Sequence, residues 1–318
     1  MARGARLLLA ALQSNFVLLG SPIAMSHSAW AHQSCWSLLE YNTDKFLSST
    51  VYQNQNDGRC VLAFSGYHGA LAGYTRGTAA LVWPPQTWNI CGQDMYAPYV
   101  RLLRHHFSLA NWSKLVHTFA GPAPVCKGEL VFAAESMGGS AGEMLATCAN
   151  NDMLHELMDE NIPSFQLQTL YTYGASAAST KPMFNSLRKD GCFKGKRIYL
   201  SKDPVAQFGA FFNLKHPRMD AVEIWANEQG KNPSVRAYPC GSDEAITDMP
   251  HEKPPPVVAD LHYNTAVDKI QHEVTTYAAT IDWMQKAGKG SVFEEALLAE
   301  SPSETNAEKY LNHLQQSA

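Results

Sequence analysis

Glu129-Leu130-Val131-Phe132-Ala133-Ala134-Glu135-Ser136-Met137-Gly138-Gly139-Ser140-Ala141-Gly142 is the stretch whose reading decides the fold. An apolar run, short and β-like, leads straight into a serine, and the residues after it are small enough for a tightly packed helix start. This is the pattern of a strand-to-helix turn that holds a nucleophile above the end of a sheet. Strand and helix backbones approach closely there, so both sides of the serine need small residues. Gly138 fills one such position and Ala134 the other. The helix start adds positive partial charge beside Ser136, which favours an anion formed during acyl transfer.

A serine hydroxyl is a weak nucleophile unless a histidine takes its proton and a carboxylate orients that histidine. With the serine on such a turn, the chain order expected is Ser, acid, His, each beyond a later strand. Asp203 follows the strand-like Arg197-Ile198-Tyr199-Leu200, and His262 stands just before the strongest helical pattern of the chain. Asp220 and Asp260 are rival acids, and His216 and His251 rival bases. Asp260 is only two residues from His262 and is expected to point elsewhere.

Outward from this core, short apolar runs alternate with helical patterns, the rhythm of a mainly parallel sheet covered on both faces. Strands are predicted at 60–64, 130–134, 167–173 and 197–200, with a further one at 222–225 whose place in the sheet is unassigned. Helices are predicted at 96–107 and 139–148. Val267, Ile270, Val274, Tyr277, Ile281 and Met284 predict another, ended by Gly288 and Gly290. Residues 32–290 read as one catalytic domain and 291–318 as a polar tail or peripheral helix.

The first 31 residues read as an export signal. Arg3 and Arg6 precede an apolar run, and Ala29-Trp30-Ala31 or, earlier, Ser21-Pro22-Ile23-Ala24 offers small residues for cleavage. Gln13, Ser14 and Asn15 interrupt the run, which argues against a membrane span. A secreted, extracellular protein should pair some of its seven cysteines and, the count being odd, leave at least one free; Cys60 or Cys148 is expected as a buried thiol. Asn111-Trp112-Ser113 is a glycosylation sequon. A net charge of −4 gives no basis for nucleic-acid binding.

Phe64-Ser65-Gly66, Ala134-Glu135-Ser136-Met137-Gly138-Gly139, Tyr173-Gly174-Ala175, Asp203-Pro204-Val205 and His262-Tyr263 occur in the order of the shared segments of the class 3 (fungal-type) lipases, which this chain resembles over roughly residues 59–285. The resemblance implies an α/β-hydrolase fold, a Ser136–Asp203–His262 triad, and an oxyanion hole made by the backbone N–H groups of Met137 and Tyr67. It also implies a lipid or other ester substrate (an acylglycerol, a phospholipid or a relative), transient contact with a lipid surface, and no cofactor or metal. Three features depart from the family. Glu135 replaces its usual histidine, setting a carboxylate near the anionic transition state. Tyr67 replaces its Ser or Thr. The lid pattern is missing: residues 70–92 are where an apolar cover would belong, and an ordinary surface loop is the simpler expectation. The departures motivate a second reading, an inactive hydrolase fold that serves as a binding protein. A third keeps the site and transfers the acyl group to an alcohol other than water.

Overall fold

A computed structural model describes residues 36–43, 47–66, 86–158, 161–167, 169–201, 203, 205–225 and 234–247. In chain order the elements are β1 (Trp36–Thr43), β2 (Ser48–Asn54), β3 (Cys60–Ser65), β4 (Thr87–Ile90), β5 (Gln93–Tyr96), α1 (Ala97–Phe107), α2 (Ala110–His117), β6 (Val131–Glu135), α3 (Ser136–Asn150), β7 (Thr169–Tyr173), β8 (Lys194–Leu200), β9 (Asp220–Trp225), β10 (Ser234–Tyr238) and the single turn α4 (Asp243–Ile246). Eight strands form one sheet in the order β1-β2-β3-β6-β7-β8-β9-β10. The five central strands β3, β6, β7, β8 and β9 are parallel, while β1–β2, β2–β3 and β9–β10 pair antiparallel.

The sequence of β3 explains its central place. Every residue of Cys-Val-Leu-Ala-Phe-Ser is buried, as in a strand covered on both faces. The same holds for β6, where only Val131 is partly exposed. The predicted strand at 222–225 is β9, and it lies parallel to β8. The sequence reading missed β1, β2 and β10, which flank the parallel core and pair antiparallel. Residues 86–92, expected as part of a loop, form β4 and a tight hairpin turn into β5. Cys91 and Gly92 both have positive φ, 53° and 72°, as a two-residue turn of the type I′ kind requires.

All 15 residues of α3 are buried, from Ser136 to Asn150. Two of its glycines make this possible. A Cβ at Gly139 would lie 2.6 Å from the Cβ of Ala175, and one at Gly142 would enter the ring of Phe132. The helix is thus pressed onto the sheet while α1 packs across it and α2 packs on β1. Among the described residues no helix is long and apolar enough to cross a membrane.

Three disulfides close the fold: Cys60–Cys126, Cys91–Cys148 and Cys192–Cys240. Cys60 and Cys148 are therefore paired, against the expectation of a buried free thiol. Both sit in apolar surroundings as expected, but each faces a cysteine that a loop brings back to the core. Cys35, the signal segment 1–31, the helical pattern at 267–284 and the tail 291–318 lie outside the described residues.

Candidate active site

The turn between β6 and α3 holds Ser136 at φ +55°, a left-handed backbone that residues with a Cβ rarely adopt. Glu135 before it is still extended, with φ −132° and ψ 155°. The chain therefore reverses direction at one residue, and that residue is the serine predicted as nucleophile. Ser136 is 7% exposed. The end of β3 lies directly against it. A Cβ built on Gly66 would come within 3.0 Å of both the Met137 nitrogen and the Ser136 Cβ, and 3.2 Å from the Ser136 Oγ. A Cβ on Gly138 would in turn meet the backbone of Ser65 and Gly66 at 2.9 and 3.0 Å. The two segments named from sequence, Phe64-Ser65-Gly66 and Ser136-Met137-Gly138, are thus packed backbone to backbone.

Asp203 lies three residues beyond the end of β8, wholly buried. Its Oδ1 accepts hydrogen bonds from the N–H groups of Val205 at 2.9 Å and Ala206 at 3.2 Å. These two amides fix the orientation of the carboxyl group at the end of β8. Because β6, β7 and β8 are adjacent and parallel, Ser136 and Asp203 emerge from the same edge of the sheet, two strands apart. That separation is about 10 Å between strand axes.

Two of the rival residues have other partners. Asp220 opens β9 at the opposite sheet edge and pairs with Lys196 at 2.5 Å. His216 is wholly buried with its Nδ1 3.3 Å from Glu143, a residue two turns along α3 from Ser136. Thr172 Oγ1 donates a further hydrogen bond to Glu143 at 3.2 Å. This buried Glu143–His216–Thr172 cluster anchors α3 to β7 and to the segment before β9. The sequence signal for it is a lone carboxylate inside an otherwise small and apolar helix, which has to find a partner. His262, Tyr67, Asp260 and His251 lie outside the described residues.

Glu135 is not solvated. It is 5% exposed and accepts a hydrogen bond of 2.7 Å from the hydroxyl of Ser65. Behind the nucleophile, Ser140 Oγ donates to the carbonyl of Ser176 at 2.8 Å, and Ser176 Oγ lies 2.6 Å from the Tyr99 hydroxyl. These bonds tie the first turns of α3 to the segment after β7 and to α1.

No family model matches the chain, and no curated protein matches it in sequence. In structure it is similar to a fungal lipase in complex with an inhibitor, with a TM-score of 0.52 and 13% identity, covering 84% of this chain and 92% of that one. The fold is that of the fungal lipases. The Rhizomucor miehei lipase–propeptide complex is also similar, with a TM-score of 0.49, 15% identity and coverage of 77% and 73%. Lipase II from Rhizopus niveus has a TM-score of 0.46, 15% identity and coverage of 77% and 81%. The lipase fold accounts for the mostly parallel sheet with a buried helix behind its central strand, and it bears out the α/β-hydrolase expectation.

Proposed function

We propose that this chain is a secreted serine hydrolase of carboxylic esters, lipase-like, with Ser136 as its acyl-accepting nucleophile. The observation that carries the reading is the left-handed backbone of Ser136 at the head of a fully buried helix, pressed against Gly66. Strain of this kind costs roughly 1–3 kcal/mol and persists where surrounding packing enforces it. Here it serves to lift the hydroxyl out of the sheet while aiming the first helical N–H groups at the same point.

In this reading His262 takes the Ser136 proton as the hydroxyl attacks the ester carbonyl, and then protonates the leaving alcohol. Asp203, oriented by two backbone amides, fixes the imidazole tautomer and stabilises the imidazolium. The N–H groups of Met137 and Tyr67 bind the oxyanion. Water then releases the acid from the acyl-enzyme. Acylglycerols, phospholipids or related esters are the proposed substrates, with the lipase fold as support. Three disulfides support an oxidising compartment, and hence export through the 1–31 segment.

Labelling with an alkyl fluorophosphonate followed by peptide mapping tests the assignment. The expected result is covalent label on Ser136 in the wild-type chain and none in Ser136→Ala. A folded wild-type protein that takes no label would overturn it.

A further inference from the structure

Ser65 and Glu135 belong to neighbouring parallel strands and meet at their C-terminal ends, one step past the paired residues Phe64 and Ala134. Both are buried, at 0% and 5% exposure, and the Ser65 hydroxyl donates to Glu135 Oε1 at 2.7 Å. Burial in a low-dielectric interior strengthens such a hydrogen bond and makes its loss costly. Each partner adjoins a residue of the site. Ser65 is followed by Gly66, where even a Cβ would come within 3.0 Å of the Met137 nitrogen and the Ser136 Cβ. Glu135 is followed by Ser136 itself. Glu135 is the N-cap of α3 but makes no side-chain capping bond to the helix. Its carboxylate instead joins the end of β3 to the nucleophile turn.

We propose that Glu135, through Ser65, is a positioning residue that sets the gap between the end of β3 and the nucleophile turn, and so the spacing of the two oxyanion-binding N–H groups. The inference rests on Ser136 being the nucleophile, as proposed above. One donor belongs to Met137 on the turn, and the other to the residue after Gly66. The Ser65–Glu135 bond is a side-chain link between the end of β3 and the nucleophile turn. Transition-state stabilisation by such donors depends steeply on their distance from the developing charge. Glu135 touches no reacting atom in this scheme.

The test uses the disulfide-bonded chain with p-nitrophenyl butyrate as substrate and fluorophosphonate labelling as a second readout. Ser65→Ala and Glu135→Ala should each lower kcat and the labelling rate by roughly 10- to 100-fold, with KM changed less than about twofold. The double variant should be no worse than the poorer single one, because the two residues act as a unit. Glu135→Gln, whose amide oxygen still accepts from Ser65, should lie closer to wild type than Glu135→Ala. Ser65→Cys, nearly isosteric, replaces Ser65→Ala if that variant does not fold. Additive losses overturn the inference, as does a Ser65 variant that melts lower but keeps wild-type kcat. A wild-type chain that takes no label overturns the nucleophile assignment, and this inference with it.

Discussion

Ser136 and Gly66 show how little freedom the site leaves to individual residues. A Cβ at Gly66 would sit only 3.0 Å from the Met137 nitrogen and the Ser136 Cβ, and Ser136 itself keeps a backbone that glycine would accept without strain. This gives a prediction opposite in sign for stability and function. Ser136→Gly should unfold at higher denaturant than Ser136→Ala, by about 1 kcal/mol, because only glycine is at ease at φ +55°. Both variants should fail to take the fluorophosphonate label. Equal stabilities in parallel chemical denaturation would mean that the turn is not strained at this residue. Glu135 marks where residue-level reading fell short: as a sequence departure it suggested a carboxylate facing the reaction, whereas in the fold it is buried against Ser65. Which group a side chain faces depends on a residue 70 positions away.

At the scale of elements, α3 is the piece on which the others depend. It was legible as a helix because its small residues suit a tight strand-to-helix turn. Its start at Ser136 and its complete burial were not, because burial is conferred by what packs outside it. Gly142 faces the ring of Phe132 from β6 with no room for a methyl group. Gly142→Ala should therefore destabilise the protein by about 1–3 kcal/mol as an overpacked core substitution, although alanine is the better helix former. Phe132→Leu added to Gly142→Ala should recover part of the loss, as removing the ring opens the space. Denaturant midpoints of the single and double variants decide it, and a stabilised Gly142→Ala would refute the contact. Strand β1, at the edge of the sheet, was illegible because its local pattern is mixed. Leu38 of β1 is 44% exposed, and the strand carries no clean alternation.

Across the described residues, one sheet edge gathers the candidate site while the opposite edge is tied down by an ion pair and a disulfide. Ser136 and Asp203 leave the first; Lys196–Asp220 and the nearby Cys192–Cys240 secure the second. Buried Tyr173 and Tyr96, and half-buried Tyr238 on the edge strand β10, give the fold a response to alkaline pH. Burial first, and then its hydrogen bond to Glu223, push the Tyr238 hydroxyl up to about 12. Burial also holds Tyr173 and Tyr96 well above the usual range for tyrosine. The folded chain thus keeps protons that unfolded tyrosines release near pH 10. Stability from these groups is complete below about pH 10 and is lost as pH rises through the folded values. Melting temperatures between about pH 9 and 11.5 should fall with pH, and less steeply in Tyr238→Phe than in wild type. An equally steep fall in the variant would remove Tyr238 from the account.

Local sequence determined the parallel core and the nucleophile turn, because both rest on neighbours in the chain: continuous apolar runs for buried strands, and small residues where two backbones must touch. Ser136 and Asp203 were visible for the same reason, each lying next to the end of its own strand. Tertiary structure alone decided which cysteines pair, that Asp220 and His216 have partners elsewhere, and that Glu135 turns to Ser65. Those outcomes depend on which distant segments the sheet order brings face to face. Hydrophobic periodicity encodes that a surface will be buried, but not against what.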